Sequence, residues 1–326
     1  FSGISVQARM NRSYPHGDLF GHVLGYVGRI NDRELKKVDR RNYLGTTHIG
    51  KVGVEKFYET LLHGNTGFRE EEVNSRGRPL REVARTPTTT GSSLILSIDT
   101  ALQQAVKDIL GKESGAVVAL DPRNGEVLAL YSNPTYDPNA FVNGISSKDY
   151  ALLLDNPERP LWNRAIQGRY PPGSTVKPVM ALAGLEAGLI TAEQRMFATG
   201  YFQVPNDPRK YRDWYRPGHG WVDMYSAMAV SADVYFYDLA YKLGIDRIAP
   251  MFDQFGFGEK TGIGIYGESS GLLPTRQWKR EKYKQRWFPG ETLIVGIGQG
   301  YMLATPIQLA RMTGCIAMRG HCEHPR

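Results

Sequence analysis

No run of 18 apolar residues occurs in this chain, so no stretch of it reads as a membrane-spanning helix. Internal repeats and low-complexity tracts are also lacking, which leaves no sign of a solenoid or a compositional linker. Cysteine is nearly absent: Cys315 and Cys322 are the only two. With His321 and His324 they outline a faint metal cluster, but the spacing fits no standard zinc pattern. Two unrelated thiols are the expectation. A signal peptide is lacking too. The chain opens at Phe1, and the expectation is a soluble part excised from something longer.

What is present is ordinary globular composition in a chain of 326 residues, enough for two domains with cores of their own. The net charge of +7 points to an anionic partner: nucleic acid, a membrane surface or a cell-wall polymer. Charge alone does not choose among them.

Residues 1–90 hold only short elements. Asn31 or Asp32 begins a helix, residues 54–63 form an amphipathic helix stopped at Gly64, and two strands flank a turn at 74–77. No nucleophile and base cluster there, so a structural or docking domain is expected. The polar stretch 86–93 is the expected boundary, with a second domain over 91–326. In that domain residues 94–98 read as a strand and Asp99 caps a helix through Leu110. Residues 115–120 and 126–131 read as an antiparallel hairpin reversed at Asn124-Gly125. A helix packed on an antiparallel hairpin is an α+β arrangement. Residues 133–163 read as irregular and 196–222 as a long functional loop. Residues 278–287 interleave basic and aromatic side chains. A solvated loop is expected there, and no nucleic-acid partner.

The chemistry gathers around Tyr170-Pro-Pro-Gly-Ser-Thr-Val-Lys177. Pro178 fits only the first turn of a helix, so the apolar segment after it begins close to Ser174. Ser174 and Lys177, at i and i+3, then share one face beside the positive end of the helix dipole. A nucleophile, a base and an oxyanion donor fall within four residues. Ser231-Ala-Asp233 lies at the junction of two further helices, where it serves as an N-cap or offers a second hydroxyl and a polar clamp. Asp213 and His219 read as mutual anchors of their loop, a base pair or metal ligands. Ala198 and Met228 add no good ligand nearby, so no catalytic metal is expected.

Ser174-x-x-Lys177 followed by Ser231-x-Asp233 resembles the penicilloyl-serine transferases. Leu94-Ile-Leu-Ser-Ile-Asp-x-x-Leu-Gln103, Ala119-Leu-Asp-Pro-x-x-Gly-Glu-Val-Leu128 and Gly296-Ile-Gly-Gln-Gly300 narrow the likeness to class B penicillin-binding proteins. Tyr211-Arg-Asp-Trp214, Gly218-His-Gly220 and His22-Val-Leu-Gly-Tyr-Val27 resemble the branch that serves cell elongation.

The resemblance implies a pedestal-like first domain and a β-lactamase-like transferase domain, an antiparallel sheet flanked by helices. It implies a peptidoglycan D,D-transpeptidase with Ser174, Lys177 and Ser231 catalytic, Asp233 binding substrate, and neither cofactor nor metal. Implied partners are stem peptides, β-lactams, a membrane glycan polymerase and cell-shape scaffold proteins. The implied location is the bacterial inner membrane, with the catalytic domain in the periplasm and the anchor outside this chain. The family's third motif is expected on an edge strand after Gly300. Lys260-Thr-Gly262 spells its core but precedes that point, and Ile263 follows it where a hydroxyl is expected. Lys260 is therefore expected to be exposed and remote, with the C-terminal part of the domain, third motif included, absent from the chain. An inert scaffold or β-lactam sensor is the alternative function.

Overall fold

In the computed structural model, which describes residues 11–326, the second half of the chain is organised on the antiparallel hairpin Gly115–Leu120 and Val127–Asn133. Side chains alternate across it with period two. Val117, Ala119, Ala129 and Tyr131 meet Val106 of the helix Thr100–Leu110 on one face. Ala116, Val118, Leu120 and Leu130 meet Ala165, Ile166 and Ile307 on the other. A bulge between Ala119 and Leu120 precedes the Asp121–Gly125 reversal, where Gly125 has φ 77°.

Asp99 caps the helix Thr100–Leu110 by accepting the Leu102 N–H at 2.9 Å, as its sequence position predicts. Gln103, fully buried, then acts as a piece of backbone. Its amide accepts the Leu130 N–H at 2.9 Å and donates to the Leu130 carbonyl at 2.8 Å. Helix and strand are thus locked in register without an unpaired polar group.

A second, helical core adjoins the hairpin. Helices Lys177–Glu186, Asp233–Leu243, Ile245–Gln254 and Pro289–Gly296 bury Met180, Phe236, Phe252 and Leu293 completely. Each such side chain contributes about 1.5–3 kcal/mol. In the N-terminal part Val27–Arg29 pairs with His48–Gly50. Phe68–Val73 pairs with Pro79–Thr86 in the expected hairpin. Asn31 caps Asp32–Leu35 in a reciprocal capping box with Glu34. Residues 14–24 reach across to the hairpin domain. Leu19 and Phe20 join Val106 and Tyr131, and the His22 carbonyl accepts from Asn163 at 3.1 Å. Burial pushes the His22 imidazole down to about 4, against the pull of the Pro134 and Pro160 carbonyls.

The structure departs from the sequence reading in several places. Residues 94–98 form no strand. The Ser97 hydroxyl exchanges hydrogen bonds with the N–H and carbonyl of Val127, so a side chain takes the place of a ladder. The helix expected over 54–63 breaks at Tyr58 into Gly53–Phe57 and Glu59–His63. Within 133–163, Asn139–Val142 and Ser147–Leu154 are helical, the latter capped by Ser146. Residues 196–222 are two short antiparallel ribbons, Met196–Ala198 with Gly220–Val222 and Tyr201–Gln203 with Lys210–Arg212. The expected solvated loop at 278–287 begins as the helix Arg276–Tyr283, capped by Thr275. Cys315 and Cys322 are not separate thiols but a disulfide. The helix Pro306–Ala317 is followed by Arg319 and Gly320, both at positive φ, and that reversal brings the two sulfurs together.

Candidate active site

Ser174 lies in a short 3₁₀ turn, Gly173–Val176, that runs into the helix Lys177–Glu186 with Pro178 in its first turn. The turn is braced from behind. The Gly173 N–H donates to the Gly298 carbonyl at 2.8 Å, and Tyr170 and Ala304 exchange backbone hydrogen bonds at 2.9 and 2.8 Å. A Cβ on Gly298 would sit 2.2 Å from the Gly173 carbonyl oxygen, so only glycine permits this approach. The Gly296-Ile-Gly-Gln-Gly300 segment therefore presses on the nucleophile turn, a role its composition alone does not reveal.

Lys177 is buried at 2% exposure, and its ammonium donates to three acceptors: Asp233 Oδ1 at 2.7 Å, the Ser231 carbonyl at 2.9 Å and Ser231 Oγ at 3.0 Å. Lysine has three N–H donors, so the shell is full. The Phe236 ring closes the site 5.2 Å from Nζ. The Ser231 hydroxyl donates to Ser174 Oγ at 2.9 Å. The four predicted residues are thus brought together, with Ser174 exposed at the open end and Lys177 at the closed end.

Ser231 occupies an unusual backbone position. The helix Met224–Ala229 ends in a Schellman arrangement: Ser231 N–H donates to the Met228 carbonyl at 3.1 Å and Ala232 N–H to the Ala227 carbonyl at 2.8 Å. The residue at this point takes the left-handed conformation and is usually glycine. Ser231 adopts it at φ 54°. That geometry turns its hydroxyl toward Ser174 and its carbonyl toward Lys177.

Asp213 and His219 are paired behind this segment, His219 Nε2 lying 3.1 Å from Asp213 Oδ1. The Tyr215 N–H also donates to Oδ1, and the Val234 N–H donates to Oδ2 at 2.9 Å. Among the described residues no group of three or more ligating side chains forms a metal site. Nearby Tyr237 is held neutral well above its ordinary range, by burial first and then by the carboxylates of Asp233 and Asp213.

Lys260 is exposed and makes no side-chain hydrogen bond or ion pair among the described residues. Its neighbours have a structural task. The buried Glu268 carboxylate accepts the Thr261 N–H and hydroxyl, both at 2.6 Å, and the Gly262 N–H at 3.2 Å. This is a turn after a helix, as expected.

A family model described as penicillin binding protein transpeptidase domain matches residues 115–326, and one described as penicillin-binding protein dimerisation domain matches residues 1–96. The chain is 50% identical over 320 residues to the peptidoglycan D,D-transpeptidase MrdA of Acinetobacter baumannii, covering 98% of this chain and 48% of that protein. It is 47% identical over 315 residues to MrdA of Escherichia coli K12, covering 95% and 50%. The crystal structure of Pseudomonas aeruginosa PBP2 in complex with WCK 5153 superposes with a TM-score of 0.89 at 52% identity, over 97% of this chain and 66% of that one. Helicobacter pylori PBP2, solved in complex with MreC, gives 0.90 at 37% identity, over 97% and 58%. The chain spans about half the length of the curated relatives it matches.

Proposed function

Because this chain belongs to the penicillin-binding transpeptidase family, we propose that it carries the nucleophile half of a peptidoglycan D,D-transpeptidase of the cell-elongation type. The observation that supports this reading best is the unbroken chain Ser174–Ser231–Lys177–Asp233, each link between 2.7 and 3.0 Å.

The reaction is acyl transfer in two steps. Ser174 Oγ attacks the penultimate D-alanyl carbonyl of a donor stem peptide. Its proton passes through the Ser231 hydroxyl to Lys177, once the lysine has lost one of its three protons to solvent. The tetrahedral intermediate collapses, the C–N bond to the terminal D-alanine breaks, and the leaving amine takes the proton. An acceptor amine then attacks the ester, forms the cross-link and returns a proton to Ser174. Asp233 holds the ammonium form between turnovers, and its second oxygen is available to a substrate amide N–H. A β-lactam enters the same path and stops at the ester.

The first 90 residues act as the pedestal and residues 91–326 carry the transferase site. Stem peptides and β-lactams are the ligands, with a membrane glycan polymerase and a cell-shape scaffold as protein partners. The MreC complex of the Helicobacter pylori relative supports the scaffold assignment. Among the described residues no helix is long and apolar enough to cross a membrane. The protein works at the inner membrane with this domain in the periplasm. The Cys315–Cys322 disulfide fits that oxidising compartment. No observation favours an inert scaffold or sensor.

Intact-mass spectrometry of the full-length protein after benzylpenicillin tests the proposal. One covalent adduct is expected on the wild type and none on Ser174→Ala. An adduct that survives on the alanine variant overturns it.

A further inference from the structure

We propose that Asp213 and Trp214 are positioning residues that hold the segment Ser231–Ala232–Asp233 against Ser174 from both of its ends; the proposal rests on the acyl-transfer reading above. Two hydrogen bonds from adjacent residues carry it. The Trp214 indole N–H donates to the Val230 carbonyl at 3.2 Å. The Asp213 carboxylate accepts the Val234 N–H at 2.9 Å. Val230 and Val234 immediately flank the three residues that supply the Ser231 and Asp233 side chains and one carbonyl of the lysine shell.

The segment needs such a hold. Ser231 sits in the left-handed region, where a residue with a Cβ stays only if its surroundings fix it. The following helix, Asp233–Leu243, has Ala232 at its N-cap and no side-chain cap of its own. Alanine is a poor cap, and the N–H groups of the first turn lack partners within the helix. Asp233 stands in that turn, and its carboxylate is drawn to the same N–H groups and the same dipole. Asp213 meets the need from a different part of the chain, which leaves the Asp233 carboxylate to Lys177.

Asp213 is itself fixed. It is 2% exposed, its N–H donates to the Gly200 carbonyl at 3.0 Å, and Oδ1 is shared by His219 and the Tyr215 N–H. Trp214, by contrast, is 63% exposed. Its N–H is engaged while its faces touch Tyr215 and His219. The two ribbons of residues 196–222 thus form a bracket whose working edge is the Asp213–Trp214 pair.

The experiment compares wild type with Trp214→Phe, Asp213→Leu and Asp213→Asn in the full-length protein. A fluorescent penicillin at several concentrations separates reversible binding from the acylation step. Thermal melts and amide exchange over residues 230–234 run beside it. Trp214→Phe keeps an aromatic ring, though a smaller one, and deletes the N–H. It is expected to slow acylation about three- to tenfold with binding and melting unchanged. Asp213→Leu is expected to slow it about 100-fold and to speed exchange at 230–234. Asp213→Asn retains an acceptor for Val234 and recovers to within about threefold of wild type. The bracket is overturned if Trp214→Phe and Asp213→Leu both acylate at the wild-type rate, or if the loss lies wholly in binding. It is overturned equally if the loss only tracks a lower melting temperature, or if exchange over 230–234 is unaltered. Failure of the acyl-transfer reading looks different: the wild type itself forms no Ser174-dependent adduct, and the exchange data then judge the bracket alone.

Discussion

The hydrogen-bond partner of Ser174 is Ser231, not Lys177: the two hydroxyl oxygens lie 2.9 Å apart, while the lysine's three donors all go to Ser231 and Asp233. On the proposed acyl-transfer reading, the second serine thus stands between nucleophile and base rather than beside them. Removing its hydroxyl breaks the proton path and leaves both ends in place. Ser231→Ala is expected to slow acylation by about 100- to 1000-fold with the fold intact. Stopped-flow labelling with a fluorescent penicillin measures it, and a rate within threefold of wild type would mean that the path bypasses Ser231.

Asp233 and Lys177 make an ion pair with the lysine 2% exposed. Taking away the carboxylate leaves a buried ammonium with two neutral acceptors. Asp233→Leu is expected to destabilise the protein by ~3 kcal/mol. Asp233→Asn, which keeps an acceptor, loses less. Urea unfolding of both variants gives the comparison, and equal losses would assign the effect to the lost charge rather than to the lost acceptor.

Lys260 is the control. It spells a family motif but lies exposed on a turn held by Glu268. Lys260→Ala is expected to acylate within about threefold of wild type. A hundredfold loss in the full-length protein would make it part of the site.

His22 gives a pH dependence of stability. In the unfolded chain its imidazole takes up a proton below about pH 6.5, whereas in the folded protein burial delays this to about 4. Between those values the unfolded state binds more protons, so stability falls as the pH falls. The contribution is complete above 6.5 and has gone by about 4, a change of about 3 kcal/mol. His22→Gln keeps a donor for the Pro134 carbonyl and cannot titrate. Urea midpoints from pH 7 to 4 are expected to fall less steeply for this variant. Parallel curves for the two proteins would remove His22 from the acid response.

Much of this arrangement was legible in the chain because it is local. Pro178, Asp99 and Asn31 each mark a helix start within a few residues of themselves, and the structure has helices starting there. The alternation over 115–133 marks the hairpin in the same way. Illegible were the features that join distant positions. The ribbons over 196–222 have strands of three residues, too short for any period to emerge. Residues 94–98 carry the composition of a strand, but Val127 opposite them bonds the Ser97 hydroxyl and the Arg326 carbonyl instead of their backbone. The Cys315–Cys322 bridge depends on a reversal at Arg319, a residue with no intrinsic liking for positive φ. The meeting of Ser174 with Ser231 was carried by the likeness to a family, since nothing in the spacing of two serines 57 residues apart implies a contact.

The left-handed backbone of Ser231 sets two demands against each other. Conformation at that point prefers glycine, and the proposed chemistry requires a hydroxyl. Exchanging serine for glycine there would relieve about 1–2 kcal/mol of strain and delete the proton path in the same stroke. A selection run for heat resistance alone would therefore drift toward glycine at position 231 and collect dead protein. On the transpeptidase reading proposed above, the serine persists only under a selection that counts cross-links, and it marks where this scaffold trades durability for turnover.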